Sequence, residues 1–271
     1  MNYFESISLG VLQGFTEFLP VSSSGHLRVL KELLGLGDVD ILFDVLLHVA
    51  TLLATFIVFR RLIGKILLAL GWGLVYGPRR SAELSDDDRA YWRLAGVIVL
   101  TTFITGALGL LMKDWVEGFS ISLVSGLFIA TGFILLVTRF IPLGTKSLGD
   151  LGWKEGIFLG FVQGLGVLPG ISRSGITISG SLGVGMNRDT AGEFSFLISL
   201  PAILGALVLS LRDLNELSGS VSLGVLGAGF VASFLVGLGS LAMLLRFVRA
   251  GKLYWFSGYL LPLGIAGLIF F

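Results

Sequence analysis

Six long apolar stretches limit the folds open to this chain more than any other feature. A helix that crosses a bilayer needs about 20 mainly apolar residues. The stretches cover residues 41–59, 92–112, 118–137, 194–211, 221–245 and 253–271. Charged residues make up only 14% of the chain, against roughly 25% in soluble domains, which excludes a soluble globule. We therefore predict an all-α integral membrane protein with six transmembrane helices, forming one polytopic domain over residues 1–271.

Two further apolar segments are interrupted by polar clusters. Residues 3–30 contain the cluster PVSSSGH at 20–26, and residues 155–186 contain PGISRSG at 169–175. Each half is only about 10–15 residues long, which is too short for a crossing. Broken backbone cannot face lipid, so both clusters must be buried in protein or line a water-filled cavity. We predict two re-entrant helical hairpins.

The two hairpins belong to an internal repeat with an offset near 150 residues. The matching residues are Gln13, Gly14, Ser22, Ser24 and Gly25, which recur as Gln163, Gly164, Ser172, Ser174 and Gly175. Each copy, about 1–140 and 151–271, then has one hairpin and three spans. Because three crossings end on the opposite side, the second copy is predicted to be inverted, so that the two clusters meet near the midplane.

The basic residues predict the orientation. In this topology 14 of the 19 Lys and Arg lie on one side, four on the other, and Arg173 lies inside the second hairpin. The positive-inside rule makes the rich side cytoplasmic, so both termini are predicted to be extracytoplasmic in a multi-pass protein of the cell (inner) membrane. Residues 62–76 are expected to extend the first span, and residues 77–91, with the acidic run 86–88, to form the clearest soluble loop. A net charge of +1 gives no reason to expect nucleic acid as a partner.

The first cluster places ionisable groups at membrane depth. Its polar residues are Gln13, Glu17, Ser22, Ser23, Ser24 and His26. A buried Glu and His are costly in a membrane, so they indicate a functional site. The alternative is that the serines only satisfy broken backbone while Glu17 and His26 pair structurally. His48, beside Asp44 within a span, is interpreted as a structural contact between helices.

The second cluster has the groups that bind a phosphate. They are Ser172, Arg173, Ser174 and Thr177 at the start of a helix. The guanidinium offers paired charge-assisted hydrogen bonds, and the helix N-terminus offers free N–H groups, although a carboxylate would suit the same groups. Opposite the first cluster, whose Ser22 and Ser24 are further candidate phosphate-binding residues, they would complete a pocket for phosphoryl transfer. A site inside the bilayer suits a lipid-linked phosphate.

These motifs, QGFTE leading into PVSSSGH and PGISRSGIT, resemble those of the undecaprenyl-diphosphate phosphatase family, the bacitracin-resistance proteins. The resemblance covers nearly the whole chain. It implies hydrolysis of the terminal phosphate of undecaprenyl diphosphate for peptidoglycan synthesis, with a divalent cation, Mg²⁺ or Ca²⁺. It places the catalytic residues at Glu17, Ser23, His26 and Arg173. Glu17 is the implied metal ligand; Gln13, where many members have Glu, is a second candidate.

Three alternatives stay open at the level of sequence. In one mechanism Ser23 attacks the terminal phosphorus, His26 takes its proton and Glu17 orients His26 or the metal; in the other, His26 is the nucleophile. A transporter or flippase for a polyprenyl phosphate would use the same inverted repeat and anion clamp but would need no nucleophile. The glycines at 224, 227, 229, 237 and 239 suit close packing inside the bundle or the face of a homodimer, and we expect internal packing.

Overall fold

The computed structural model describes residues 1–33, 41–76, 85–210 and 221–271. Within these ranges the regular structure is helical and no strand occurs, which confirms the all-α prediction. The α-helices are α1 (Tyr3–Phe18), α2 (Ser23–Leu33), α3 (Ile41–Tyr76), α4 (Asp86–Glu117), α5 (Ile121–Val137), α6 (Trp153–Leu165), α7 (Arg173–Gly183), α8 (Arg188–Ser210), α9 (Leu223–Arg249) and α10 (Ser257–Phe270). Short 3₁₀ turns at Thr138–Phe140 and Leu253–Phe256 extend α5 and precede α10.

Six of these helices are long and apolar enough to cross a membrane. They are α3, α4, α5, α8, α9 and α10, and they match the six predicted spans. Helix α3 has 36 residues, about 54 Å at the usual rise per residue. It therefore extends well beyond a hydrocarbon core of about 30 Å, and residues 62–76 continue the first span as one helix, as predicted.

The predicted soluble loop over residues 77–91 is wrong from Asp86 onward, because α4 begins there. Ser85 caps this helix: its Oγ accepts a hydrogen bond from the Asp88 amide at 3.1 Å. The acidic run 86–88 occupies the first turn, where negative charge complements the helix dipole, and these residues are exposed, as expected for a solvated surface. Residues 77–84 and Arg212, which entered the charge count, lie outside the described residues.

Two pairs of short helices replace what would otherwise be further spans. Helices α1 and α2 have 16 and 11 residues, and α6 and α7 have 13 and 11. Each is at most about 24 Å long. The breaks between them contain left-handed backbone at Ser22 (φ 71°) and Gly170 (φ 99°). The Gly170 amide donates to Ser22 Oγ at 3.0 Å, which confirms that the two polar clusters meet.

Glycines allow α1 to lie directly against α9. A Cβ on Gly10 would collide with the main chain of Gly229, and one on Gly14 with the main chain of Ser233. Ser240 Oγ donates to the Gly14 carbonyl at 2.5 Å. Small residues at such interfaces are typical of membrane helix packing, and this contact fixes the helix that carries the first polar cluster.

The α9 glycines serve mainly this internal contact. Gly224, Gly229 and Gly237 pack against side chains of α1 and, for Gly229 and Gly237, also of α3. Gly227 and Gly239 have no heavy atom of the described chain within 4 Å of a Cβ placed on them. Internal packing is therefore confirmed for three positions, and a homodimer stays a prediction.

Candidate active site

A cavity of about 540 Å³ lies between the two polar clusters and three of the long helices. Its polar lining consists of Thr16, Glu17, Ser22, Ser23, Ser24, His48, Thr102, Thr105, Lys113, Gln163, Ser172, Arg173 and Ser210. Its apolar and small lining includes Gly106, Gly109, Leu110, Val167, Ile171, Pro201, Ala202, Ile203, Gly205, Ala206 and Leu209. One end of the cavity is thus charged and hydroxyl-rich, and much of the wall could hold a hydrocarbon chain.

Glu17 and Arg173 form the centre of the charged end. The Arg173 guanidinium donates to Glu17 Oε1, although the two residues are 156 positions apart in the chain. Glu17 Oε2 accepts hydrogen bonds from Ser23 Oγ at 2.7 Å and from Gln13 Nε2 at 3.1 Å. The Glu17 side chain is only 5% exposed. A buried carboxylate needs such pairing, so the ends of α1 and α7 are tied together by charge.

Arg173 also has donors left for an anion. A guanidinium carries five N–H donors, and Arg173 lines the cavity at the first position of α7. Free amides at a helix N-terminus favour negative charge. The arrangement can therefore bind a phosphate with the donors that do not contact Glu17.

The hydroxyl groups predicted to bind phosphate divide into two sets. Ser22, Ser24 and Ser172 line the cavity. Ser174 and Thr177 are buried and are not part of its lining; Thr177 Oγ1 lies 2.5 Å from Ser195 Oγ and donates to the Arg173 carbonyl. Thr177 thus joins α7 to α8, while Ser174 Oγ lies 3.3 Å from Ser172 Oγ and donates to the Leu19 carbonyl at 3.4 Å.

His26 does not line the cavity. Its Nδ1–H donates to the Ser22 carbonyl at 2.8 Å, and in the neutral ring Nε2 accepts from the Tyr259 hydroxyl at 2.7 Å. The imidazole packs against the rings of Phe128 and Tyr259, with centroids 5.0 and 5.7 Å away. The structure therefore brings Glu17, Ser23 and Arg173 together and leaves His26 in an aromatic contact with α5 and α10.

The other histidine, His48, does line the cavity. Its Nε2 lies 4.0 Å from Glu17 Oε2, and its side chain is 35% exposed. His48 thus lies against α1 as well as lining the cavity, and the neighbouring Asp44 pairs with Lys31 of α2 at 2.5 Å.

Several lining residues were not identified from the sequence as site residues. Thr102, Thr105 and Lys113 lie on α4, and Gln163 on α6 donates to Thr105 Oγ1 at 3.1 Å. The available signal was the group of threonines inside an otherwise apolar span, because polar side chains at membrane depth usually face a bundle interior or cavity.

The described residues do not fit a resident metal site. Glu17 is the one carboxylate in the cavity lining, and both of its oxygens already accept hydrogen bonds. Gln13 is fully buried behind it, with Oε1 unpaired, and is not part of the lining. No group of three or more His, Cys, Asp or Glu able to hold a metal occurs in the part of the chain that the structure describes.

Comparison with known proteins assigns the chain to a family. The family described as "Bacitracin resistance protein BacA" matches residues 6–266. An undecaprenyl-diphosphatase of Treponema denticola is 42% identical over 271 residues, covering 100% of this chain and 98% of that protein. Proteins of the same name from Desulfosudis oleivorans and Alkaliphilus metalliredigens are 43% and 40% identical, each over at least 97% of both chains. The match extends over both polar clusters and all six long helices, and this multi-pass membrane protein belongs to the BacA bacitracin-resistance family.

Proposed function

We propose that this protein is an undecaprenyl-diphosphatase, which hydrolyses the terminal phosphoric anhydride bond of undecaprenyl diphosphate to give undecaprenyl phosphate and inorganic phosphate. The observation that carries this proposal is the group formed by Glu17, Ser23 and Arg173 at the charged end of the cavity. The names of the full-length relatives support it. Such an activity would recycle the carrier lipid for peptidoglycan synthesis and support resistance to bacitracin.

The shape of the cavity suits a diphosphate with a lipid tail. Its charged end offers Arg173, Ser24 and Ser172, while Leu110, Ile203 and other apolar residues line the remainder. Ligand sites commonly combine an apolar wall with a few placed polar groups. We assign the phosphates to the Arg173 end and the first isoprene units to the apolar wall.

In the first chemical step, Ser23 Oγ attacks the terminal phosphorus. The bond between that phosphorus and the bridging oxygen breaks, and its electrons leave with undecaprenyl phosphate. Glu17 Oε2, which already accepts the Ser23 hydrogen bond at 2.7 Å, takes the proton and releases it to solvent. Arg173 neutralises the charge on the phosphoryl oxygens, which is the main protein contribution to phosphoryl transfer.

In the second step, water attacks the phosphorus of the phosphoserine. The new bond joins the water oxygen to phosphorus, and the bond from phosphorus to Ser23 Oγ breaks. Glu17 takes a proton from the water and returns it to Ser23, and inorganic phosphate leaves. This assignment gives Glu17 the proton transfer that the sequence motif suggested for His26, because Glu17 is the group that contacts Ser23.

A divalent cation fits this site only as part of the substrate. Mg²⁺ near phosphates keeps several water ligands and binds few protein groups, and the protein offers one carboxylate that is already paired. We propose that Mg²⁺ or Ca²⁺ arrives with the diphosphate oxygens as its main ligands. No chemical step is assigned to it.

The direct test is phosphate release by purified protein in detergent, with undecaprenyl diphosphate and Mg²⁺ or Ca²⁺. We expect one phosphate per lipid, because the reaction ends at the monophosphate. Undecaprenyl phosphate is the control substrate and should release none. Protein that is folded but releases no phosphate with either cation would contradict the proposal and favour the alternative, a polyprenyl-phosphate flippase or anion transporter.

We further propose that α1–α2 and α6–α7 are re-entrant hairpins within one membrane domain over residues 1–271, built from inverted repeats 1–140 and 151–271. The shortness of these four helices and the contact between Ser22 and Gly170 support this arrangement. The charge bias supports extracytoplasmic termini. The cavity is bounded by the C-terminal parts of α4 and α8, which would place its mouth on the extracytoplasmic side.

The orientation can be tested by single-cysteine labelling, since the chain contains no cysteine. On intact cells, a membrane-impermeant maleimide should label Leu223→Cys at the exposed start of α9. It should leave Asp87→Cys, at the exposed start of α4, unlabelled until the membrane is permeabilised. The reverse pattern would mean that the topology is inverted, and equal labelling of both would contradict the assignment of these helix ends to opposite sides.

A further inference from the structure

His48 lies beside the reactive group of the site in the lining of the cavity. Helix α3 carries it, and its Nε2 lies 4.0 Å from Glu17 Oε2. The Asp44 carbonyl lies 2.8 Å from His48 Nδ1. A carbonyl can only accept a hydrogen bond, so Nδ1 carries a hydrogen, and when the ring is neutral its Nε2 is an unprotonated acceptor next to Glu17.

The separation of these two acceptors suits one water molecule. A water about 2.8 Å from each atom, an ordinary hydrogen-bond length, can donate one hydrogen to Glu17 Oε2 and the other to His48 Nε2. Before the reaction Ser23 also donates to the same carboxylate oxygen. Once Ser23 carries the phosphoryl group it has no hydrogen to donate. Glu17 Oε2 then keeps only the hydrogen bond from Gln13 and can accept a second one from water.

We propose that His48 holds the hydrolytic water against Glu17 and is thereby a catalytic residue for the second step. This inference rests on the proposed phosphatase function. The water gives its proton to Glu17, its oxygen bonds to phosphorus, and Ser23 Oγ leaves and regains a proton from Glu17. His48 accepts only the hydrogen bond of the second water hydrogen, which orients the oxygen toward phosphorus. Even a small displacement of a reacting group lowers the reaction rate strongly.

The experiment compares His48→Leu, which lacks an acceptor, with His48→Gln, whose side-chain carbonyl can accept the same hydrogen bond. Steady-state phosphate release should fall about 10- to 100-fold in His48→Leu, as expected for one lost hydrogen bond to a reacting group. His48→Gln should recover most of that loss. Acid quenching with labelled terminal phosphate should also show more phosphoenzyme in His48→Leu than in wild type, because only its breakdown is slowed.

Leu53→Ala on the same helix is the matched control, since Leu53 is exposed and does not line the cavity. It should match wild type in rate and thermal stability. Equal rates in wild type and His48→Leu, or equal losses in His48→Leu and His48→Gln, would overturn the role of His48. If no phosphoenzyme is trapped, the rates of phosphate release by His48→Leu and His48→Gln are sufficient to test the role of His48. Wild type that releases no phosphate would instead contradict the proposed function.

Discussion

Replacing Arg173 by alanine should lower kcat/KM for phosphate release by about 10³-fold or more. Loss of a preorganised donor at a developing negative charge costs about 10²–10³ in rate, and arginines in phosphoryl transfer contribute about 10³–10⁵. Here the same residue also neutralises Glu17, because its guanidinium donates to Glu17 Oε1. Phosphate release by the purified variant in detergent, at several lipid concentrations, measures the loss.

Arg173→Ala removes two interactions at once, the ion pair with Glu17 and the proposed contact with phosphate. A second variant can separate their effects on activity. Removing one partner of a buried ion pair destabilises a protein by about 3–5 kcal/mol, so part of the loss could come from unfolding. Arg173→Lys keeps the charge but offers a single ammonium in place of the planar fork. It should unfold near the wild-type temperature and still lose about 10²-fold in kcat/KM, because bidentate contact with phosphate is lost.

Arg249→Ala is the control for removing an arginine without touching the site. Arg249 is exposed and pairs with Asp189 on the protein surface, at 2.6 Å, where an ion pair contributes little. Its activity should match wild type. If Arg173→Lys were as active as wild type, the bidentate clamp would be wrong; if Arg173→Ala were also unaffected, Arg173 would have no part in catalysis.

The sequence was sufficient to predict the helices of this fold because the membrane imposes a simple length rule. A run of about 20 apolar residues has few alternatives to a spanning helix, and all six runs became such helices. The start of α4 was missed. Its first turn contains only charged residues of low hydropathy, and the helix starts there because Ser85 Oγ caps it by accepting from the Asp88 amide.

The sequence also correctly predicted that Glu17 and Arg173 lie close together, since the repeat implied that the two polar clusters meet. It could not give the direction of each side chain. His26 is three residues from Ser23, which in α2 places the two side chains only about 60° apart around the helix axis. Ser23 nevertheless reaches Glu17, whereas His26 packs against Phe128 and Tyr259. The orientation of the His26 side chain depends on contacts with residues more than 100 positions away in the chain, and such contacts cannot be read from the hydropathy pattern.

The same limit explains why the position of His48 in the cavity lining was not predicted from the sequence. Within an apolar span, a histidine that lines a cavity and one that joins two helices give the same pattern, and only the position of α1 relative to α3 separates them. Threonines 102 and 105 on α4 illustrate the point, because both line the cavity although their spacing suits any helix–helix contact. The polar residues in the spans therefore predicted that a site exists, but they did not predict which residues line it.

Replacing Ser23 by alanine should reduce phosphate release by about 10³-fold or more if Ser23 is the nucleophile. Removal of a catalytic serine elsewhere leaves only the rate supplied by binding and charge stabilisation. The geometry favours Ser23 over His26, because Ser23 lines the cavity and donates to Glu17 at 2.7 Å, whereas His26 Nε2 is engaged by Tyr259. Ser24→Ala, a change at the neighbouring hydroxyl of the cavity, should lose about tenfold or less, as expected for one binding hydrogen bond.

Chemical trapping identifies the nucleophile independently of rate. With undecaprenyl diphosphate labelled in its terminal phosphate, an acid quench should leave label on the peptide that contains Ser23, since a phosphoserine ester survives acid and a phosphohistidine does not. Ser23→Ala should then carry no acid-stable label, while Ser24→Ala should carry it as wild type does. Label that is lost in acid but retained in base would assign the nucleophile to a histidine. Full activity of Ser23→Ala would eliminate the serine route. The acid and base stability of the label would then decide between a histidine nucleophile and direct attack by water oriented by Glu17.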